Sequence, residues 1–323
     1  MENYADVVLT TRIRLARNVK GYKFTNNMID KEKQELLEKI KEKLEDKYTI
    51  LELNNMDDTT KKSLVETHTI SKELLLNNNT GMIIDDKNNI IIMINEEDHL
   101  RIQAFCDAFD IDSAYKNILE ADKNISSKID YAYSDDYGYI TACPTCIGTG
   151  MRVSVMLHLP ALEKIGALDK VFYEISNLGV AIRGIYGENS NSQGTIYQIS
   201  NQKTLGVREE DIIKQMKQIT NYIVNQERKA RDILSSRIDT EDEVLRSYGI
   251  AKYATLMRQK EAMQILSNIR MGVAMGLISD VDIKEVDKLM ENIGINTLRK
   301  NLKEDFSKEE ESAKRAEYIK SKI

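Results

Sequence analysis

Proline, cysteine and long apolar runs are all scarce: the 323 residues hold two prolines and three cysteines, and no apolar stretch is longer than Ile90 to Ile94. That stretch is far below the ~20 residues that span a bilayer, so no membrane anchor is expected. The thiols, Cys106, Cys143 and Cys146, are too few to staple a chain of this length. The opening MENYADVV has neither the basic nor the apolar part of a secretory leader, so a cytoplasmic protein with reduced thiols is expected. Basic charge is not in excess either: 46 Lys and Arg against 52 Asp and Glu leave a net charge of −6. A broad nucleic-acid surface is therefore not expected, although a local basic pocket stays open. What remains, 41% hydrophobic and 30% charged residues, suits a globular protein of about two domains of ~150 residues each.

Periodicity divides the chain. Met28 to Lys47 reads as an amphipathic helix with Leu36, Leu37, Ile40 and Leu44 on one face and Asp30 as N-cap. Met82 to Ile84 and Ile90 to Ile94 flank the turn DDKNN, and Tyr131 to Tyr133 and Tyr139 to Thr141 flank SDDYG, so two antiparallel hairpins are expected. Val171 to Ile175, Val180 to Tyr186 and Thr195 to Ile199 add β-rich runs, and a helix fits between Met151 and Ile165. The fold class expected is α+β: a mainly antiparallel sheet flanked by helices, then a small all-α region. Helical spacing runs from Glu209 through Ser235, and beyond it Leu256, Met257, Met263, Leu266, Ile269, Val273, Val286, Leu289 and Met290 suggest a small bundle. The charge-dense tail, SKEEESAKRAEYIKSKI, reads as a solvated helix. There is no internal repeat and no Pro/Ser/Gly-rich linker; the prolines, Pro144 and Pro160, lie around one motif.

That motif is CPTCIGTGMRVSVMLHLPAL, Cys143 to Leu162. A Gly/Thr-rich loop entering a helix that bears Arg152 can bind an anion, although a tight strand-to-helix turn explains it as well. Cys143 and Cys146 form a CxxC without the second pair a zinc site needs. In TTRIRLARN, Arg12 and Arg14 are two apart, so on a strand both guanidinia project from one face. Arg183 and Glu188 in RGIYGENS end another β-run, and INEEDHLRIQ places Glu96, Glu97, Asp98, His99 and Arg101 after the strand Ile90 to Ile94. A helix N-terminus explains those three acids nearly as well as a site does. Arg12, Arg14, Arg101, Arg152 and Arg183 together make a candidate phosphate clamp, because a planar guanidinium gives bidentate, permanently charged contacts to phosphoryl oxygens. No Walker GxxxxGK[ST] and no kinase HRD or DFG occurs.

These blocks, in order from Val7 to Gly206, resemble the ATP:guanidino phosphotransferase family, the phosphagen kinases and the bacterial protein-arginine kinases of the McsB type. TTRIRLARN is similar to the family's S-S/T-R-I/V-R block, INEEDHLRIQ to its NEED block, the Cys143 segment to CPxNxGTGxRxSVxxHLPAL, and RGIYGENS with YQISNQKTLG to its nucleotide and substrate loops. The resemblance implies that ATP, with Mg²⁺, binds along Thr10, Thr11, Arg12, Ile13 and Arg14, His68, Arg101, Arg152, Val153, Ser154, Val155 and Met156, and Arg183, Gly184, Ile185, Tyr186, Gly187 and Glu188. It implies Glu97 as the catalytic carboxylate, Glu188 as the second carboxylate that holds the acceptor guanidinium, and Cys143 as the active-site cysteine. No residues are assigned to a metal.

Only nine residues of this sequence precede Thr10, so the N-terminal helical domain of small-molecule phosphagen kinases is not expected. The last third resembles the bacterial protein-arginine kinases. The division expected is 1–232 catalytic and 233–323 a helical dimerisation and regulatory domain. The resemblance implies phosphorylation of protein arginines, marking of proteins for a Clp unfoldase and protease, a heat-shock repressor as target, a zinc-containing activator and a homodimer. Alternatives are a phosphagen kinase acting on a free guanidino metabolite and a catalytically weak adaptor. Two positions depart from the pattern. Cys146 replaces the family's Asn, and Glu311 to Ala316 keep only the final Arg-Ala of a phosphoarginine-receptor motif RDxxRA, so weak phosphoarginine feedback is expected.

Overall fold

The computed structural model describes residues 4–184 and 194–323. Its frame is an eight-stranded sheet built from β1 (Val8–Arg17), β2 (Ile50–Glu52), β3 (Gly81–Asp85), β4 (Ile90–Ile94), β5 (Leu100–Asp107), β8 (Met151–His158), β9 (Val180–Gly184) and β10 (Ile196–Asn201); a small hairpin, β6 (Tyr133–Ser134) and β7 (Gly138–Tyr139), stands apart. The order is β2-β3-β4-β5-β1-β8-β10-β9, and each pair is antiparallel. Helices α1 (Asp30–Leu44), α2 (Asp58–Glu66), α3 (Ile111–Ser126), α4 (Pro160–Lys164), α5 (Leu168–Ser176) and α6 (Glu209–Leu234) surround it, followed by α7 (Ile238–Tyr253), α8 (Gln259–Ala274), α9 (Ile283–Asn292), α10 (Ile295–Leu302) and α11 (Glu311–Lys320). The expected α+β class, antiparallel sheet and helical last third are what is found.

Strand alternation explains the core. Ile13 and Leu15 of β1 share a face with Ile92 of β4, Ile102 and Ala104 of β5, and Val153 and Val155 of β8. That face packs on Leu36, Leu37 and Ile40 of α1, Ile118 of α3, and Met216 and Ile223 of α6 in one apolar cluster. A second cluster joins α7, α8, α9 and α11 through Val244, Leu266, Ile269, Val286 and Ile319, and reaches into the sheet through Leu9 and Ile196. The two are tied by buried charge: Arg270 of α8 pairs with Asp287 and donates to the carbonyls of Ala5 and Asp6 at 2.8 and 2.9 Å.

Several expectations are corrected. Met151–His158 is a strand whose Met151, Val153, Val155 and Leu157 are buried in the core, and only Pro160–Lys164 after it is helical. Val171 to Ile175 lies inside α5, where Leu168, Val171 and Ile175 face the core at helical spacing. Cys106 is on β5, and the N-cap of α1 is Ile29, with Asp30 the first helical residue. Leu256 is exposed rather than core. The tail helix is not simply solvated: Arg315, Ala316 and Ile319 are buried, and Arg315 donates to the carbonyls of Ile293 and Met257 at 2.8 and 3.1 Å and pairs with Glu311.

Candidate active site

The register that builds the core also builds the site on the opposite face. Residues directly paired across strands point the same way, so Gln103, Arg14 and Arg152 form one row and Phe105, Arg12, Ser154 and Ser200 the next. Thr10, Met156, Gln198 and Arg183 form the row after that, and Arg101 stands two residues before Gln103. All five arginines of the expected clamp therefore share one sheet face. Arg152 reaches it by the pleat of β8, not from a helix N-terminus, and the anion-binding helix start expected after the Gly/Thr loop does not exist. Thr11, Ile13, Val153 and Val155 turn their side chains to the core face, Thr11 donating to the Ala108 carbonyl at 2.8 Å. Their part in the cleft is limited to backbone.

Crowded guanidinia are electrostatically expensive. Burial, then Arg101 and Arg152, push Arg12 down to about 10, and burial with the same neighbours and Arg12 holds Arg14 well below its ordinary value. Arg12 donates to Gln198 Oε1 at 3.3 Å, and Arg101 pairs with Glu96. Arg101 Nε, Arg152 Nε, Ser154 Oγ and both amide atoms of Gln103 are buried without a hydrogen-bond partner among the described residues. Orphaned polar atoms at one place cost about 1–3 kcal/mol each and ask for a ligand. The donors among them, Arg101 and Arg152 Nε–H, the Ser154 hydroxyl and the Gln103 amide N–H, are satisfied by an oxyanion, and several together suit a polyphosphate.

The segment after β4 is a tight turn, not a helix start. Asn95 has a positive φ of 59° and donates its side-chain amide to the carbonyls of Lys33 and Asn79 at 3.0 and 2.8 Å. Glu96 is buried, accepting from Ser71 and Arg101. Asp98 accepts from Asn18 Nδ2 at 2.6 Å and from the Ala142 backbone N–H at 2.7 Å, which pins the Cys143 loop. His99 is consumed by Val19 N–H and the Lys23 carbonyl at 3.0 and 2.8 Å. Glu97 alone of the three acids is exposed. Partial enclosure, then Asp98 and Glu96, raise its pKa, while Arg14 and Arg101 pull it back. A carboxylate with a raised pKa beside a cationic face is the profile of a proton acceptor.

Cys143 begins the short turn Pro144–Cys146, half-buried, with Sγ 3.0 Å from Thr145 Oγ1. Cys146 lies behind it, buried, its pKa raised by burial against the pull of Arg152 and Arg14. The loop is held from below: Thr204 Oγ1 donates to the carbonyls of Thr145 and Ile147 at 3.0 and 2.7 Å. Gly148, at φ +111°, passes so near that a Cβ would meet the Thr204 carbonyl oxygen at 2.3 Å. Among the described residues no group of three His, Cys, Asp or Glu side chains is arranged to hold a metal ion, and no helix is long and apolar enough to cross a membrane.

Arg12, His68, Arg101, Gln103 and Met156 line one cleft of about 500 Å³. Arg183 and Gly184 sit at the end of β9, and Ile185, Tyr186, Gly187 and Glu188 lie outside the described residues. Sequence reasoning missed Gln103, which the period of two from Arg101 could have found. It also missed Met263, Met290 and Glu291, which reach the same cleft from α8 and α9 and carry no signal in the sequence.

Residues 27–230 match the family model described as ATP:guanido phosphotransferase, C-terminal catalytic domain. Residues 237–323 match the one described as Protein-arginine kinase McsB C-terminal domain. A protein-arginine kinase of Clostridium acetobutylicum is 40% identical over 327 residues, covering 98% of this chain and 96% of the relative. One of Caldanaerobacter subterraneus subsp. tengcongensis is 40% identical over 328 residues, covering 98% and 97%. Among solved structures, the duplicated taurocyamine kinase of Schistosoma mansoni with bound transition-state-analog components superposes with a TM-score of 0.63 at 28% identity, over 69% of this chain and 33% of that one. A lombricine kinase gives 0.62 at 22% identity over 69% and 67%, a likeness of fold.

Proposed function

The chain belongs to the ATP:guanido phosphotransferase family, and from that premise we propose that it is a protein-arginine kinase, moving the γ-phosphoryl group of ATP to arginine side chains of proteins. The observation that carries the chemistry is five arginines on one sheet face beside Glu97, the outward carboxylate of its loop. A protein as acceptor is supported by relatives of that name whose similarity runs through the helical last third as well as the sheet.

In this reading the five arginines hold the triphosphate, with Thr10, Ser154, Met156, Gly184 and His68 along the nucleotide and the backbones of Thr11, Ile13, Val153 and Val155 behind it. Magnesium comes with ATP and neutralises phosphate charge. An arginine guanidinium, with pKa above ~12, is a poor nucleophile until it loses a proton. Glu97 takes that proton as the N–P bond forms and the bond from the γ-phosphorus to the bridging oxygen breaks, and ADP leaves. Ile185, Tyr186 and Gly187, outside the described residues, continue the nucleotide-binding run from Gly184, while Glu188, also outside them, holds the acceptor's other N–H groups, and Cys143 stands beside the acceptor. Alignment and charge compensation supply most of the acceleration.

The reading extends to a division at 1–232 and 233–323, supported by two apolar clusters of which the first takes in α6. It extends further to a cytoplasmic homodimer whose products are marked for a Clp unfoldase and protease, with a heat-shock repressor among its substrates and a zinc-containing activator. These rest on the family relation. Weak phosphoarginine feedback is supported by Arg315 being buried and engaged by Glu311 and two carbonyls.

The test is transfer from Mg-ATP to an unfolded arginine-containing protein and, in parallel, to free arginine, read by ³¹P NMR at neutral pH. Phosphoramidate signal on the protein alone is expected. Signal on the free amino acid moves the function to phosphagen metabolism, and silence on both leaves the adaptor reading.

A further inference from the structure

The cleft that contains Arg12 and Arg101 is not closed by the sheet. At its cationic end Arg12 and Lys72 both act on His68. Elsewhere Leu9, Met156 and Ile196 of the sheet meet Met263 of α8 and Met290 of α9, with Glu291 beside them. The helical part is fastened at this rim. Glu66, which also lines the cleft, accepts from the backbone and side chain of Asn296 at 3.2 and 2.6 Å and of Thr297 at 2.8 and 2.8 Å. Contact is so close at Gly294 that a Cβ would stand 2.4 Å from Glu66 Oε2.

We propose that the helical part forms the nucleoside end of the nucleotide site: Met263 and Met290 wall the base, and Glu291 accepts a hydrogen bond from an N–H or O–H group of adenosine. The inference rests on the ATP reading above. Charge fixes the direction in which a nucleotide lies. The arginine end takes phosphates, whereas at the other end Glu291 has near it Asp107 and Asp287, the latter held by Arg270, and so offers carboxylates rather than guanidinia to what lies there. Apolar surface there suits a flat base, and methionine, flexible and polarisable, packs well against aromatic rings. Glu291 is exposed to the cleft and makes no hydrogen bond or ion pair among the described residues. The protein mass around it, then Asp287 and Asp107, push its pKa up to about 7. A donor entering the cleft thus meets a carboxyl with no competing partner. The exocyclic amino group of adenine and the ribose hydroxyls are the donors adenosine offers.

The experiment is calorimetric titration of the full chain with ATP, 2′-deoxy-ATP, 3′-deoxy-ATP, inosine triphosphate and inorganic tripolyphosphate. It is run on the wild type, Glu291→Ala, Glu291→Gln and Met290→Gln, with thermal unfolding confirming each fold. Glu291→Ala is expected to weaken ATP about three- to tenfold and leave tripolyphosphate within about twofold. It should also abolish the preference for ATP over the analogue that lacks the contacted donor. That analogue is a deoxynucleotide if the ribose is held and inosine triphosphate if the amino group is. Glu291→Gln, which keeps an acceptor oxygen, should recover most of the affinity, and Met290→Gln should weaken ATP but not tripolyphosphate. If both Glu291→Ala and Met290→Gln bind ATP as the wild type does, or lose ATP and tripolyphosphate equally, the assignment is overturned while the ATP reading stands. If the wild type binds neither, the ATP reading fails first.

Discussion

Two sets of arginines are removed from bulk water in this molecule, and the protein treats them oppositely. Arg17, Arg231, Arg270 and Arg315 are buried and end on carboxylates: Asp122 at 3.0 Å, Glu227 and Asp6 at 3.1 and 3.2 Å, Asp287, and Glu311. Arg17 also lies 3.5 Å from the centre of the Tyr139 ring. In the sheet-face set Arg101 does pair with Glu96, but the guanidinia are crowded against one another, and the mutual repulsion of Arg12, Arg14, Arg101 and Arg152 adds to burial in lowering the first two. Arg14 and Arg17 belong to one strand, three residues apart, and the odd spacing sends them to opposite faces. A fold supplies counter-charge where an arginine serves structure. Where it gathers guanidinia against one another, the missing anion is the ligand.

The largest effect that could break this comparison is on Arg14. Arg14→Ala should lower phosphoryl transfer by about 10³-fold, the scale on which one arginine acts on a transferring phosphoryl group, while the unfolding temperature stays level or rises because a like-charge repulsion is gone. ATP turnover and calorimetry on the same preparation check it. A variant that unfolds like a core mutant would place Arg14 in the structural set. The converse change is Arg270→Ala, which strands Asp287 and two backbone carbonyls. It should cost about 3 kcal/mol of stability by denaturant unfolding. A loss under about 1 kcal/mol would mean that the helical part is not fastened through this residue.

How much of this could be read beforehand depended on whether a signal was local. Arg12 and Arg14 on one face followed from the period of a strand, and the β3–β4 hairpin from DDKNN between apolar runs. Met151–His158 did not. Its apolar Met151, Val153, Val155 and Leu157 do alternate with Arg152, Ser154 and His158, but Met156 interrupts the pattern, and Met, Leu and His are equally at home in a helix. VFYEI has strand-forming residues, but α5 takes them because Leu168, Val171 and Ile175 fall on one helical side. Which of Glu96, Glu97 and Asp98 points outward was undecidable from composition. Left-handed Asn95 and partners as distant as Asn18 and Ser71 decide it. The contribution of α8 and α9 to the cleft is tertiary throughout.

The smallest expected shift, a change in how one carboxyl binds its proton, sharpens the comparison from the acidic side. Glu96 and Glu97 are adjacent, yet Arg101, Ser71 and Arg14 bring the pKa of Glu96 down against its burial, whereas that of Glu97 is raised. A base must be ionised, so transfer should rise with pH through a midpoint above the ordinary glutamate value, and that limb should follow Glu97. The sign for stability is opposite. A carboxyl whose folded pKa is raised binds its proton more tightly when folded, so its contribution is complete below the unfolded value and is lost as pH rises through the folded one. Glu97→Gln should therefore abolish transfer, leave ATP binding nearly unchanged, and flatten a shallow decline of stability with pH in the acid range. Transfer within a few fold of wild type in Glu97→Gln would remove Glu97 as the proton acceptor. A stability profile parallel to wild type would mean that the neighbouring acids do not perturb it.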